Sequence, residues 1–156
     1  MKEFFRALAF SAAVFALQSS QAHPTQTKGE EEVDYRQSLY TVIAGNFQPL
    51  GAMAEGKMAF NAAEAKMRAE RVAYLVPMLK EAFPADSNGV GHTSAKPEIW
   101  KDAAGFSKAL QLLIDKSAAL AVAANSGDAD KVKAAVQETG KACKNCHDKF
   151  RVKDKD

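Results

Sequence analysis

The sequence predicts an all-α protein, an antiparallel four-helix bundle. Four segments repeat apolar residues at helical spacing, and no segment carries a credible period-2 strand pattern. The connections between them are mostly short, which places consecutive helices side by side and antiparallel. No internal repeat at a solenoid period competes with this reading.

The 156-residue chain opens on a stretch outside the bundle. Lys2 and Arg6 give a basic start, Ala7 to Leu17 form an apolar run, and Ser20 and Ala22 put small residues at a cleavage position. This is the pattern of a secretory signal peptide, residues 1–22, cut after Ala22. The apolar run is too short to anchor the chain, and no later run is long and apolar enough to span a bilayer. The expected mature protein is exported and free of a membrane anchor, a single domain over residues 23–156. Its 134 residues suffice for one hydrophobic core. Losing Lys2, Arg6 and Glu3 lowers the formal charge from +2 to +1, which argues against nucleic acid or an anionic membrane as partner.

The polar stretch from His23 to Glu32 reads as a flexible start. The first helix is expected from about Glu31 to the region of Pro49, with Leu39, Val42, Ile43 and Phe47 on its apolar side and acidic residues near the positive end of its dipole. The second begins at Asn61, which has capping-box spacing to Glu64, and carries Val72, Leu75, Val76 and Leu79. Pro77 predicts a kink or an early stop. Residues 83–97 are dense in turn formers and read as a long, variable surface loop. The third helix is expected to open near Pro97 and to carry Phe106, Leu110, Leu113, Ser117 and Leu120. After a break at residues 125–130 the fourth carries Val132, Val136, Thr139, Cys143, Cys146 and Phe150 on one continuous face.

Cys143 and Cys146 are the only cysteines, and His147 follows directly. On a helix, positions i, i+3 and i+4 share a face, so two thiols and an imidazole point the same way. C-x-x-C-H is the signature of covalent haem attachment, with two thioethers to the vinyl groups and the histidine as axial ligand. A thioredoxin-like redox pair is the main competitor, but it belongs beside a βαβ pattern that this chain lacks. Structural zinc needs four ligands, and His23 and His92 have no ligand-like spacing to the cysteines. A disulfide across three residues closes too short a loop to stabilise much.

An exported helical bundle with C-x-x-C-H on its last helix, followed by residues 148–151 (DKFR) and preceded by residues 35–47 (YRQSLYTVIAGNF) on its first, resembles cytochrome c′, the class II c-type cytochromes. The resemblance spans about Asp34 to Arg151 and implies a periplasmic protein with one covalently bound haem c. Carried onto this sequence, it makes Cys143 and Cys146 the thioether anchors and His147 the proximal iron ligand, with Arg151 the basic residue kept close to both. It places Arg36 near a haem propionate and Tyr40, four residues on, over the vacant face of the iron. Low-spin members use a methionine of this helix as sixth ligand. Here no methionine lies between Met1 and Met53, so a five-coordinate, high-spin iron is expected.

Such an iron admits small gas ligands, nitric oxide and carbon monoxide, and can also pass electrons to a periplasmic redox partner of unknown identity. The alternative is a low-spin class II cytochrome acting purely as an electron carrier. An enzyme of the peroxidase kind needs a distal acid or base, and His92 sits in the glycine-rich loop, so no catalytic activity is expected. The resemblance also implies a homodimer through the first two helices. Met67, Val72, Tyr74, Val76 and Met78 spread apolar surface around the second helix, consistent with both core and interface.

Overall fold

The computed structural model describes residues 26–153. The chain forms α1 (Lys28–Ala54), α2 (Ala62–Leu75), a single turn α3 (Glu98–Lys101), α4 (Ala103–Asn125) and α5 (Ala129–Phe150), with 3-10 turns at Val76–Lys80 and Ala85–Ser87. Among the described residues there is no strand, only an isolated antiparallel bridge between Ala95 and Arg151. The expected leader, Met1 to Ala22, lies outside the described residues.

The four long helices pack in a ring, α1 on α2, α2 on α4, α4 on α5 and α5 on α1. Neighbours run antiparallel. Lys149 pairs with Asp102 at one end of α4, and Lys116 reaches Glu138 at 3.2 Å further along. Likewise Arg68 touches the Gly45 carbonyl, while Tyr35 reaches Glu81 beyond the end of α2. This is the expected four-helix bundle.

Two ends of the bundle differ. Leu50, Met53, Ala65, Ala69, Leu120, Ala124, Val132 and Val136 form one buried cluster. Leu39, Val72, Val76, Leu79, Leu110, Leu113 and Ala142 form a second, ringed by partly buried Tyr40, Phe47, Phe106 and Cys143 among others. Thr139 joins α5 to α4 by donating to the carbonyl of Lys116 at 3.2 Å as well as to Ala135.

Several element boundaries depart from the sequence reading. α1 starts three residues earlier than expected, because Thr27 and Glu30 form a capping box: the Thr27 hydroxyl accepts from the Glu30 N–H, and the Glu30 carboxylate accepts from the Thr27 N–H at 2.8 Å. It also runs through Pro49 to Ala54. Pro49 has no N–H to give the Gly45 carbonyl, and Arg68 Nη1 donates to that oxygen instead, at 3.2 Å. Met53 therefore lies on α1, buried in the first cluster. Val42, assigned to the apolar side of this helix, is 50% exposed.

At Asn61 only half of the expected capping box forms. Its side chain accepts from the Glu64 N–H at 3.0 Å, while the Glu64 carboxylate turns to Arg68 at 2.8 Å. Pro77 acts as expected, and α2 gives way to the 3-10 turn at Val76. The third helix is split. Asp102 leaves helical geometry at φ −118°, ψ 58° and caps α4 by accepting from the Gly105 N–H at 3.0 Å. Gly127, at φ 69°, makes the short turn into α5, a left-handed conformation that suits glycine.

The loop over residues 83–97 is more than variable surface. Ser87 is fully buried, and α1 approaches so closely that a Cβ on Gly29 would lie 2.2 Å from the Asp86 carbonyl oxygen. The later part of the loop joins the end of α5: Lys96 N–H donates to Phe150 O at 3.0 Å and Val152 N–H to Ser94 O at 2.8 Å.

Candidate functional site

A cavity of about 540 Å³ opens between α1, the 83–97 loop and the C-terminal half of α5. That size suits a sizeable organic ligand. Phe83, Ile99, Phe106 and Phe150 supply its apolar wall. The rings brace one another edge to face, with centroids 4.9 Å apart for Phe83 and Phe106 and 5.3 Å for Phe106 and Phe150.

Five of the six residues singled out from the sequence line this cavity: Arg36 and Tyr40 from α1, Cys146 and His147 from α5, and Arg151 just beyond it. Cys143 lies one turn before Cys146, half-buried and packed on the second cluster beside Tyr40. The two cysteines are free thiols. Burial, and secondarily Cys146, pushes the Cys143 thiol up to about 11, and burial also raises Cys146. A catalytic redox pair needs a lowered thiol pKa, so this environment does not suit the thioredoxin-like alternative. Among the described residues no group of three or more His, Cys, Asp or Glu could hold a metal ion, and His92 is exposed in its loop.

His147 is exposed by surface area, yet it lines the cavity, whose walls partly desolvate it. That desolvation, followed by the nearby Arg151 charge, lowers its pKa against the opposing pull of Asp148. A neutral imidazole is the form that binds iron. Across the cavity, burial holds the Tyr40 phenol well above its ordinary value, reinforced by Cys146 and Cys143 and opposed by Arg36. The ring is thus a neutral phenol at ordinary pH.

Arg36 is only 2% exposed. Its guanidinium donates from Nη1 to Ser87 Oγ at 2.8 Å, and from Nη2 to Thr93 Oγ1 at 3.0 Å and Ser87 O at 3.4 Å. It also lies 5.2 Å from the centre of the Phe83 ring and 5.9 Å from that of Trp100. No carboxylate hydrogen-bonds it among the described residues, although a buried charge normally acquires an opposite partner. An arginine with neutral partners, set in an apolar cavity that also receives a thiol and an imidazole, fits an apolar ring system bearing carboxylates and iron.

Ser87 and Thr93 were not legible as site residues. Contact with Arg36 reveals both, and Thr93 also lines the cavity; serine and threonine in a glycine-rich loop carry no local signal for it. Trp100 is half-buried and donates its indole N–H to the carbonyls of Pro84 at 3.1 Å and Phe83 at 3.2 Å, outside the cavity lining.

The comparisons with known proteins agree on a family. The family model described as Cytochrome C′ matches residues 31–151. Cytochrome c′ of Rubrivivax gelatinosus is 43% identical over 129 residues, covering 81% of this chain and 98% of its own. A crystal structure of that protein superposes with a TM-score of 0.75 at 42% identity, over 81% of this chain and 99% of its own. A nitric oxide complex of a cytochrome c prime mutant from Alcaligenes xylosoxidans has a TM-score of 0.75 at 36% identity, over 83% of this chain and all of its own. The chain belongs to the cytochrome c′ family, whose cofactor is a covalently bound haem c.

Proposed function

We propose that the protein is an exported, periplasmic haem protein that binds small gas ligands at a five-coordinate iron and can also carry electrons. In this reading residues 1–22 direct export, and residues 23–156 are one haem-binding domain. Cys143 and Cys146 hold the haem by thioethers, and His147 is its axial ligand. Arg36 faces a propionate, Arg151 stays beside His147, and Tyr40 covers the open side of the iron. The bound haem supplies an iron that changes oxidation state and takes up a diatomic ligand.

One observation carries the reading: Tyr40 stands on α1 and His147 on α5, on the walls of one cavity whose described lining contains no methionine. The apolar Phe83, Ile99, Phe106 and Phe150 suit nitric oxide and carbon monoxide, which need no distal hydrogen-bond donor. The nitric oxide complex of a family relative supports the same ligand class. Exposure of His147 and Arg151 leaves an edge of the site open to solvent, where electron exchange with a redox partner would occur.

Pairing of two copies through α1 and α2 belongs to the proposal. Val42 and Tyr74 are 50% and 71% exposed, and with Met67 they line a groove on that face of the bundle. Among the described residues no helix is long and apolar enough to cross a membrane.

The test is an optical spectrum of the purified holoprotein, oxidised, reduced, and exposed to nitric oxide or carbon monoxide. High-spin bands that shift with gas support the reading. Low-spin reduced bands unmoved by gas identify a sixth protein ligand and leave pure electron transfer. Sedimentation of the wild type and Tyr74→Glu checks the dimer.

A further inference from the structure

The buried Arg36 is held by loop residues that have no part in the reading above. We propose that Ser87 and Thr93 are positioning residues that aim the Arg36 guanidinium at a carboxylate of the bound haem, so that the loop, and not α1 alone, sets where that carboxylate is held. This rests on the assignment of Arg36 to a propionate made above.

The geometry is specific. Ser87 is fully buried, and its hydroxyl donates to the Pro84 carbonyl at 2.8 Å, which turns an oxygen lone pair toward Arg36 Nη1. Thr93 Oγ1 accepts both from Arg36 Nη2 at 3.0 Å and from the Ala95 N–H at 3.1 Å. Both acceptors are therefore oriented by bonds of their own. A guanidinium has five N–H donors in a planar fork. Three hydrogen bonds go to neutral oxygens of Ser87 and Thr93, two from Nη2 and one from Nη1, which leaves the Nε–H and one Nη1 hydrogen as donors for a carboxylate.

The clasp is itself fixed at two points. On one side Gly29 lies against Asp86, where a side chain would not fit. On the other, Ser94 and Lys96 bond the backbone of Val152 and Phe150. The segment from Ser87 to Lys96 thus ties α1, which carries Arg36 and Tyr40, to the end of α5, which carries His147. Supporting groups of this kind determine how closely a binding residue keeps its geometry.

The experiment compares the holoprotein with its Arg36→Leu, Ser87→Ala, Thr93→Val and Thr93→Ser variants. Two quantities are read: the haem reduction potential, and the propionate-bending bands of the resonance Raman spectrum. A cation held by the propionate favours the reduced iron, so Arg36→Leu lowers the potential and moves the bands. Ser87→Ala and Thr93→Val are expected to shift both in the same direction by a smaller amount, with Thr93→Ser returning them to wild type. If Arg36→Leu shifts both quantities while Ser87→Ala and Thr93→Val leave them unchanged, the positioning role is overturned and the Arg36 assignment stands. If Arg36→Leu itself changes neither, the propionate assignment fails and the positioning role falls with it.

Discussion

The two ends of the bundle use the same four helices differently. At the end formed by the C-terminal half of α1 and the N-terminal half of α5, Leu50, Ala65, Ala69 and Leu120 are completely buried and Ala124 is 2% exposed. Three alanines let the backbones close, and branched side chains fill what remains. At the other end Phe83, Phe106 and Phe150 contact one another edge to face yet line a cavity of about 540 Å³. A void of that size forfeits packing energy, and a covalently attached apolar ring system would recover it by packing against these rings in the folded state. One end is sealed by packing, while the other keeps the cavity proposed above to take the haem.

The sharpest way to break this comparison is to remove the two cysteines proposed as haem anchors. Replacing Cys143 and Cys146 together by alanine is expected to abolish covalently retained haem, read by haem staining after denaturing electrophoresis. The melting temperature should fall as well, since the cavity end loses its filling. Leu120→Ala attacks the sealed end and is expected to cost about 2–5 kcal/mol, read by urea unfolding of the holoprotein. Its haem spectrum should match wild type, and a changed spectrum would show that the two ends are mechanically coupled.

A smaller effect is expected at Tyr40, which is only half-buried. Tyr40→Ala should speed carbon monoxide association, measured by flash photolysis, while Tyr40→Phe stays near wild type, since in the proposed site the ring and not the hydroxyl covers the iron. Equal acceleration by both would assign the barrier to the hydroxyl.

The smallest effect concerns the helix starts. Hydrogen bonds from backbone or neighbouring side chains hold the carboxyls of Glu30, Asp102 and Asp128 below their ordinary values. A carboxyl depressed in the folded state contributes stability that is present above the unfolded value, about 4, and is lost as pH falls toward the folded value. Thermal melts between pH 5 and 3 should decline modestly, and Asp128→Asn should flatten that decline because an asparagine cap does not titrate in this range.

Local patterns were legible because their physics is local. The four apolar repeats, the stop at Pro77 and the shared helical face of Cys143, Cys146 and His147 depend on neighbours within about one turn. Even the Thr27 capping box, overlooked in a polar stretch, is a four-residue signal that was present to be read. The continuation of α1 through Pro49 was not, because Arg68 from another helix supplies the missing donor.

By itself, then, the sequence determined the helical class, the number of long helices and the haem-attachment motif. The tertiary structure alone decided that Val42 faces outward, that the loop buries Ser87 against Arg36, and that Ser94 to Lys96 join the end of α5. The physical reason is range. Periodicity and capping act between residues a few positions apart, whereas Arg36 and Ser87, 51 positions apart, acquire their roles only when packing brings them together.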